Sequence, residues 1–318
     1  MRIQPVNLHA TFSIVAKDPE TGHFGVAVQT HQMTVGNFVP WLAAGAGAVA
    51  TQALGNIRFG PLGLALLRQG LSAQRVVDAL VASDEGAKNR QLAVVDAEGR
   101  AAAWTGGGCI EHAGHEIGDG FSVQANMMTR PTVVAAMAAA YTSASGDLAA
   151  RMMAAMQAAQ AEDGDIRGMQ SAALRIVQGA PPVYKDPAEW RPLYDLRVDE
   201  SDDPLTELAR LVRLRRAQLL DSQGHQALEA GDRQRALDLW SEARQLAPEL
   251  EELGYWQALA MADVPADVAS AADLLAEVLA NDPRRPHWLD LIGRIERAGL
   301  FERQGAGAEL QAALDQIT

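Results

Sequence analysis

With one cysteine, Cys109, in 318 residues, the chain can form no internal disulfide, which fits a reducing compartment. No apolar run reaches the roughly 18 to 20 residues that a membrane-spanning helix requires, and MRIQPVNLHA lacks the apolar stretch of a signal peptide. A cytoplasmic protein is the expectation. Basic residues are the minority, 27 Lys and Arg against 40 Asp and Glu, for a net charge of −13. Phosphate binding rests on clustered cations, so neither nucleic acid nor an anionic membrane is an expected partner. Neither Gly-Lys-Ser/Thr nor a strand-bounded GxGxxG occurs, so nucleotide binding is unsupported and no cofactor is expected.

The chain does contain a β-hairpin pattern at its start. Residues 12–16 (FSIVA) and 24–30 (FGVAVQT) are β-rich and largely apolar, and KDPETG between them supplies Pro19 and Gly22 for a tight reversal. Thr11 opens the first strand. Its hydroxyl is expected at the sheet's edge, open to a cleft and backed by a rigid strand, as nucleophilic catalysis needs. The plain alternative is a β-branched strand residue with no chemical part. Ser13 follows on the same face and is a second hydroxyl for the same site. Thr30 and His31 end the returning strand, which antiparallel pairing brings near Thr11.

Further along, GPLGLALLRQG and SAQRVVDALVASD read as amphipathic helices, and VVAAMAAAY and LAARMMAAMQAA as Ala- and Met-rich helices with faces flat enough to pack closely or to mediate dimers. A homo-oligomer is expected. Near residues 199–204 the last strand pattern, LYDLRV, runs into the acidic DESDDP, and from Leu205 the pattern is helical. The expected domains are residues 1–200 and 201–318. The acidity belongs to the second: residues 199–318 hold 23 Asp and Glu against 12 Lys and Arg.

The blocks TFSIVA, TGHFGVAVQ, VGNFVPWLAAGAGAVATQALGN, TGGGCIEHAGH and GDIRGMQSAALRIV, in that order, resemble a bacterial family of unknown function assigned to the N-terminal-nucleophile (Ntn) hydrolase fold. More distantly, the opening is similar to the mature start of the Thr-type asparaginase and isoaspartyl-peptidase branch. The resemblance implies an α+β fold, a four-layer αββα sandwich of two antiparallel sheets, whereas periodicity alone gives only mixed α and β. It also implies a hydrolase of a small amide, acting through an acyl-enzyme on Thr11 whose own α-amino group is the general base. That chemistry requires Thr11 to be the first residue, hence removal of the segment ending at Ala10.

The other site candidates follow from residue chemistry and from the same resemblance. Gln52 and Asn56 flank a Gly in TQALGN and offer amide donors to an oxyanion, with a strand end and a turn as their plain alternatives. Asn126 stands where the family has a similar Asn. In EDGDIRGMQSAAL, Arg167 offers two parallel donors for the carboxylate of an amino-acid-like substrate, oriented by Asp165, which implies small acidic amides over long peptides; a simple ion pair is the alternative. Cys109, His112 and His115 form a CxxHxxH that carries a rival reading, a metal-dependent hydrolase or a Cys109 nucleophile with His115 as base. The favoured reading of TGGGCIEHAGH is a Gly-rich loop that brings Cys109 and His115 to the rim, with no metal. The first alternative to the amidohydrolase is a noncatalytic ligand-binding or assembly protein on the same fold, ahead of the metal-dependent hydrolase.

In the second domain, residues 217–248 resemble a tetratricopeptide unit through Gly224, Ala236, Trp240, Ala243 and Pro248, with Gly231 and Asp232 at the turn. A degenerate second unit ends at Pro283, and HWLDLIGRIERAGL opens a third helix pair. Trp240, Trp256 and Trp288 are expected in the repeat core. Residues 205–318 are then a surface for a protein partner or for self-association, or a cap on the first domain.

Overall fold

Strands of alternating small and β-branched residues need a partner on each face, and the chain builds two sheets that serve one another. In the computed structural model, which describes residues 8–183 and 191–317, the first sheet contains β1 (Leu8–His9), β4 (Pro40–Ala43), β5 (Gly47–Leu54), β6 (Arg90–Asp96) and β7 (Ala101–Thr105). Its order is β1-β5-β6-β7, with β4 also paired to β5. The second contains β2 (Thr11–Lys17), β3 (Phe24–Thr30), β8 (Gly114–Gly118), β9 (Phe121–Asn126), β10 (Ser171–Val177) and β11 (Tyr194–Val198). Its order is β11-β10-β3-β2-β9-β8, and neighbours in both sheets run antiparallel.

Period-two alternation assigns each face. Val15, Val26 and Val28 of the second sheet pack with Ala48, Ala50, Ala93 and Val95 of the first to form the layer between the sheets. The alternate residues Val49, Leu92 and Val94 face α1 (Phe59–Arg68) and α2 (Ala73–Ala82). On the far side, α3 (Val133–Ser143) and α4 (Leu148–Ala161) cover β9, β2 and β3. The order is helix, sheet, sheet, helix, as the resemblance implied. Met137, Met152 and Met156 are fully buried, so the Met-rich helices are core. Each buried side chain of Val or Met size contributes about 1.5–3 kcal/mol. In the β2–β3 turn Gly22 adopts φ +73°, while Asp18 Oδ1 accepts the amides of Glu20 and Thr21 at 2.9 Å each.

The chain divides into two units at Val212 and Arg213, later than the acidic stretch suggested. The reason lies in α5 (Pro204–Glu229): Asp203 caps it by accepting the Thr206 amide at 3.1 Å, and Leu205 and Leu208 in its first turns are buried. The second unit is all-helical and repeat-like, with α6 (Arg233–Leu246), α7 (Glu251–Ala262), α8 (Val268–Val278), α9 (Arg285–Arg297) and α10 (Ala306–Leu314) after the last part of α5. Trp240 is buried as expected, and Trp288 packs its ring 4.7 Å from that of Tyr255. Trp256 is not core: it is 38% exposed, and its indole donates to Glu252 Oε1. Adjacent helical residues point about 100° apart, so Tyr255 takes the inward position. No helix among the described residues is long and apolar enough to cross a membrane.

Gly224 gives this unit a sharp test. A Cβ there would lie 2.3 Å from Trp240 Nε1, an atom that already donates to Asp221 O at 3.2 Å. Gly224→Ala gains about 1 kcal/mol of helix propensity, yet the displaced indole makes a net loss of about 1–3 kcal/mol the expected outcome. A lower thermal midpoint, followed by tryptophan fluorescence, is the check.

Candidate active site

The register of the second sheet gathers most of the polar candidates. Thr11 is paired with Thr30 on one side and Asn126 on the other, and Thr30 is paired with Ser171. Directly paired residues share a face, so one row of hydroxyls and an amide crosses the sheet. Ser13, two residues on, points towards the first sheet, where its hydroxyl donates to Gln52 Oε1 at 2.6 Å.

Thr11 itself departs from the expectation of an open cleft. It is 0% exposed, its Oγ1 has no hydrogen-bond partner, and its nitrogen is in the peptide link to Ala10. The expectation placed the hydroxyl of the strand's first residue at the sheet's edge, but β3 and β9 flank β2 on both sides. Just before Thr11 the chain changes sheets, since Leu8 and His9 pair with Leu54 and Ala53 of β5. The Ala10–Thr11 bond therefore lies where the chain passes from one sheet to the other.

Two side chains from distant elements meet the carbonyl of that bond. Thr30 Oγ1 donates to Ala10 O in a short hydrogen bond, and Arg167 Nη2 donates to the same oxygen at 3.1 Å. Asp165 fixes the guanidinium by accepting Nη2 at 2.9 Å and Nε at 3.2 Å. The Asp165 carboxylate has no exposed surface, and it also accepts the backbone amides of His31 at 3.0 Å and Arg167 at 2.9 Å. Gly164 (φ +48°) and Gly168 (φ +104°) give the loop its left-handed turns. His31 is exposed, with Nδ1 3.1 Å from Met169 O. The ion pair foreseen for Asp165 and Arg167 is present, but it points at a backbone carbonyl.

Behind Thr11 the sheets are joined by buried amides. Gln52 Nε2 donates to Thr11 O at 3.2 Å and to Gln91 Oε1 at 2.7 Å. Asn126 Nδ2 donates to Gln91 Oε1 at 3.0 Å, and Gln124 Nε2 donates to Ser13 Oγ at 2.6 Å. Gln91 and Gln124 were not among the sequence candidates. The signal for Gln91 was a single amide on an otherwise apolar strand face in RQLAVVD, and for Gln124 its place between Ser122 and Asn126 on the polar face of FSVQAN. His115, paired with Gln124, meets Thr105 of the first sheet with Nδ1 2.8 Å from Oγ1, so it ties the sheets together at their exposed side.

Two candidates lie elsewhere. Asn56 donates to Asp84 Oδ2 at 2.9 Å, and its own Oδ1 accepts the Arg58 amide at 3.3 Å. It ties the turn into α1 to the segment after α2, because Asp84 and the Arg58 amide take up its carboxamide. Cys109 Sγ donates to Arg90 O at 3.4 Å, and burial raises its pKa, the opposite of what a nucleophilic thiolate needs. Among the described residues no three His, Cys, Asp or Glu side chains are grouped to hold a metal ion.

The Arg90 guanidinium beside Asp84, with Asn56 and the Gly86 amide also donating, lowers the Asp84 carboxyl to about 2 against a burial penalty. A depressed carboxyl contributes stability that is complete above its unfolded pKa and is lost as the pH falls towards 2. Asp84→Asn is accordingly expected to cost about 1–2 kcal/mol at neutral pH. Thermal melts at pH 7 and pH 3 should show the difference between variant and parent narrowing at the lower pH.

A family model described as a family of unknown function (DUF1028) matches residues 11–208. The crystal structure of a Silicibacter pomeroyi protein described under the same family model is similar to this chain at 31% sequence identity and a TM-score of 0.57, covering 64% of this chain and 88% of that one. No curated protein matches the chain.

Proposed function

Because the chain belongs to DUF1028, a family whose description carries no activity, we propose from the geometry that it is an Ntn-type amidohydrolase with Thr11 as nucleophile. One observation carries this reading: a fully buried threonine hydroxyl without a partner adjoins a peptide carbonyl that a hydroxyl and a guanidinium already polarise. An orphaned buried hydroxyl costs about 1–3 kcal/mol and calls for an explanation. Catalysis is one. The layer order resembles hydrolase-type architectures in a general sense, and the family match begins at Thr11.

In this reading the bond between Ala10 and Thr11 is hydrolysed, water leaving a carboxylate on Ala10, and the released α-amine, with a pKa near 8, takes the proton of Oγ1. The oxygen attacks the carbonyl of a bound amide, the amine leaves with the proton, and water hydrolyses the resulting ester. Thr30 and Arg167 stabilise the oxyanion, and Asp165 keeps the guanidinium in place. Gln52 and Asn126 hold the Thr11 carbonyl, and Ser13, bonded to Gln52 and Gln124, positions the strand. Intact mass with a panel of small amides, comparing the native protein with Thr11→Ala, tests the proposal. A chain that begins at Thr11 and loses activity in the variant supports it. A chain that stays whole yet hydrolyses amides undiminished defeats the free-amine mechanism.

The sealed state of Thr11 favours a second reading, a noncatalytic ligand-binding or assembly protein, and the same experiment separates the two. For the helical unit we propose a protein-binding or self-association surface, and for the protein a cytoplasmic setting, supported by the unpaired Cys109. Light scattering across a concentration series tests self-association.

A further inference from the structure

We infer that the strip filled by Leu8–Ala10 is the acyl-side subsite for an extended peptide, so that the substrate is a peptide with a residue of alanine size before the cleaved bond. This rests on the Ntn reading of Thr11 and gives its substrate class. When Thr11 Oγ1 attacks the Ala10 carbonyl carbon, the carbon–oxygen bond forms, the carbon–nitrogen bond to Thr11 breaks, and the hydroxyl proton passes to the departing nitrogen. The product is an ester of Thr11. An outside peptide attacked by the same oxygen gives the same kind of ester, its leaving amine receiving the proton. Water then adds to the ester carbon, restoring the hydroxyl and releasing a carboxylate. Whatever holds Ala10 in the whole chain therefore holds the acyl half of a substrate.

Three features describe that half. Ala10 is 0% exposed, so a larger side chain meets packed atoms. Its carbonyl is gripped by Thr30 and Arg167. Upstream, Leu8 and His9 add as an antiparallel strand to the end of β5, opposite Leu54 and Ala53, beyond the part of β5 that β4 pairs with, Gly47 to Ala50. An extended peptide completes a sheet edge through its main chain in the same way. Ala53, a non-glycine residue at φ +68°, places backbone strain at this point. The expectation of a small acidic amide required Arg167 to meet a carboxylate, whereas its donors are engaged by Asp165 and by a peptide carbonyl.

The test uses the full chain as purified, with its mass recorded first. Three substrates are compared: the acetylated Leu8–Ala10 tripeptide on an aminocoumarin leaving group, the same peptide with phenylalanine in the last place, and asparagine. Cleavage of the alanine peptide at least about 20-fold faster than the phenylalanine peptide is expected, with asparagine slower still. Arg167→Met should lower kcat about 10²-fold with a smaller change in KM. In the chain itself, Ala10→Phe should slow the appearance of the species beginning at Thr11, while Ala10→Gly should not. A chain that matures but prefers asparagine, or takes both peptides equally, overturns the peptide subsite and leaves the Ntn reading standing. A chain that stays whole and cleaves nothing overturns both.

Discussion

Thr11→Val is expected to yield a protein that melts higher than the uncleaved parent and has lost its chemistry. Valine copies the shape of threonine, is β-branched, and suits a buried central strand. The substitution removes a hydroxyl that is fully buried and unpartnered, so about 1–3 kcal/mol of desolvation penalty disappears with no hydrogen bond lost. The same oxygen is the proposed nucleophile. Without it neither the Ala10–Thr11 bond nor an outside amide has an attacking atom, and a loss of roughly 10⁴-fold or more is expected. Thr11→Ser should keep measurable activity, while Thr11→Ala should be both inactive and less stable than Thr11→Val because it opens a cavity. Thermal unfolding, intact mass and amide hydrolysis read the three variants together. If Thr11→Val melts lower than the uncleaved parent, the hydroxyl has a structural partner and the proposed stored cost does not exist. The opposed signs of stability and activity distinguish this outcome from ordinary core damage.

Much of the fold was legible because it rests on short-range patterns. The β2–β3 hairpin could be read from two apolar strands around Pro19 and Gly22, and the buried Met137, Met152 and Met156 from helices with little else to pack. The layer order came from the family resemblance, since alternation shows that a strand has two faces without naming the partner of each. The site was legible in composition but not in assembly. Thr30, Asn126 and Gln52 converge on Thr11 through register and sheet facing, which no local signal encodes. Asn56 and Cys109 carry suitable functional groups, yet their nearest neighbours consume them, the one on Asp84 and the other on the Arg90 carbonyl. Burial of Thr11 was missed for a topological reason: the strand that opens the hairpin is central once β9 returns to its other side. Trp256 was misplaced by one residue, which on a helix is the difference between core and surface.

Gln91→Leu carries the other large effect, because Gln91 links more of the site than any sequence candidate does. Its Oε1 accepts from Gln52 and Asn126, the two amides that reach the Thr11 carbonyl. Its Nε2 donates to Ala125 O at 2.9 Å, Thr105 Oγ1 at 2.9 Å and Gly114 O at 3.1 Å. Leucine fills most of the volume and offers none of these bonds, leaving buried groups on both sheets short of partners, and a loss of about 2–4 kcal/mol is expected. Freed from Gln91, Gln52 and Asn126 no longer fix the start of β2, and a shift of Thr11 by about 1 Å lowers the turnover of the proposed reaction roughly 10²-fold. Gln91→Glu sharpens the test through pH. A carboxyl at this fully buried position has its pKa raised by desolvation, so the variant is least stable above that pKa, where it must carry a buried charge. As the pH falls through it, the neutral acid can accept from Gln52 and Asn126 and donate one proton, and stability and turnover recover together. A Gln91→Glu protein that instead melts lower as the pH drops from 8 to 5, relative to the parent, would show that the amide network does not govern the position of Thr11.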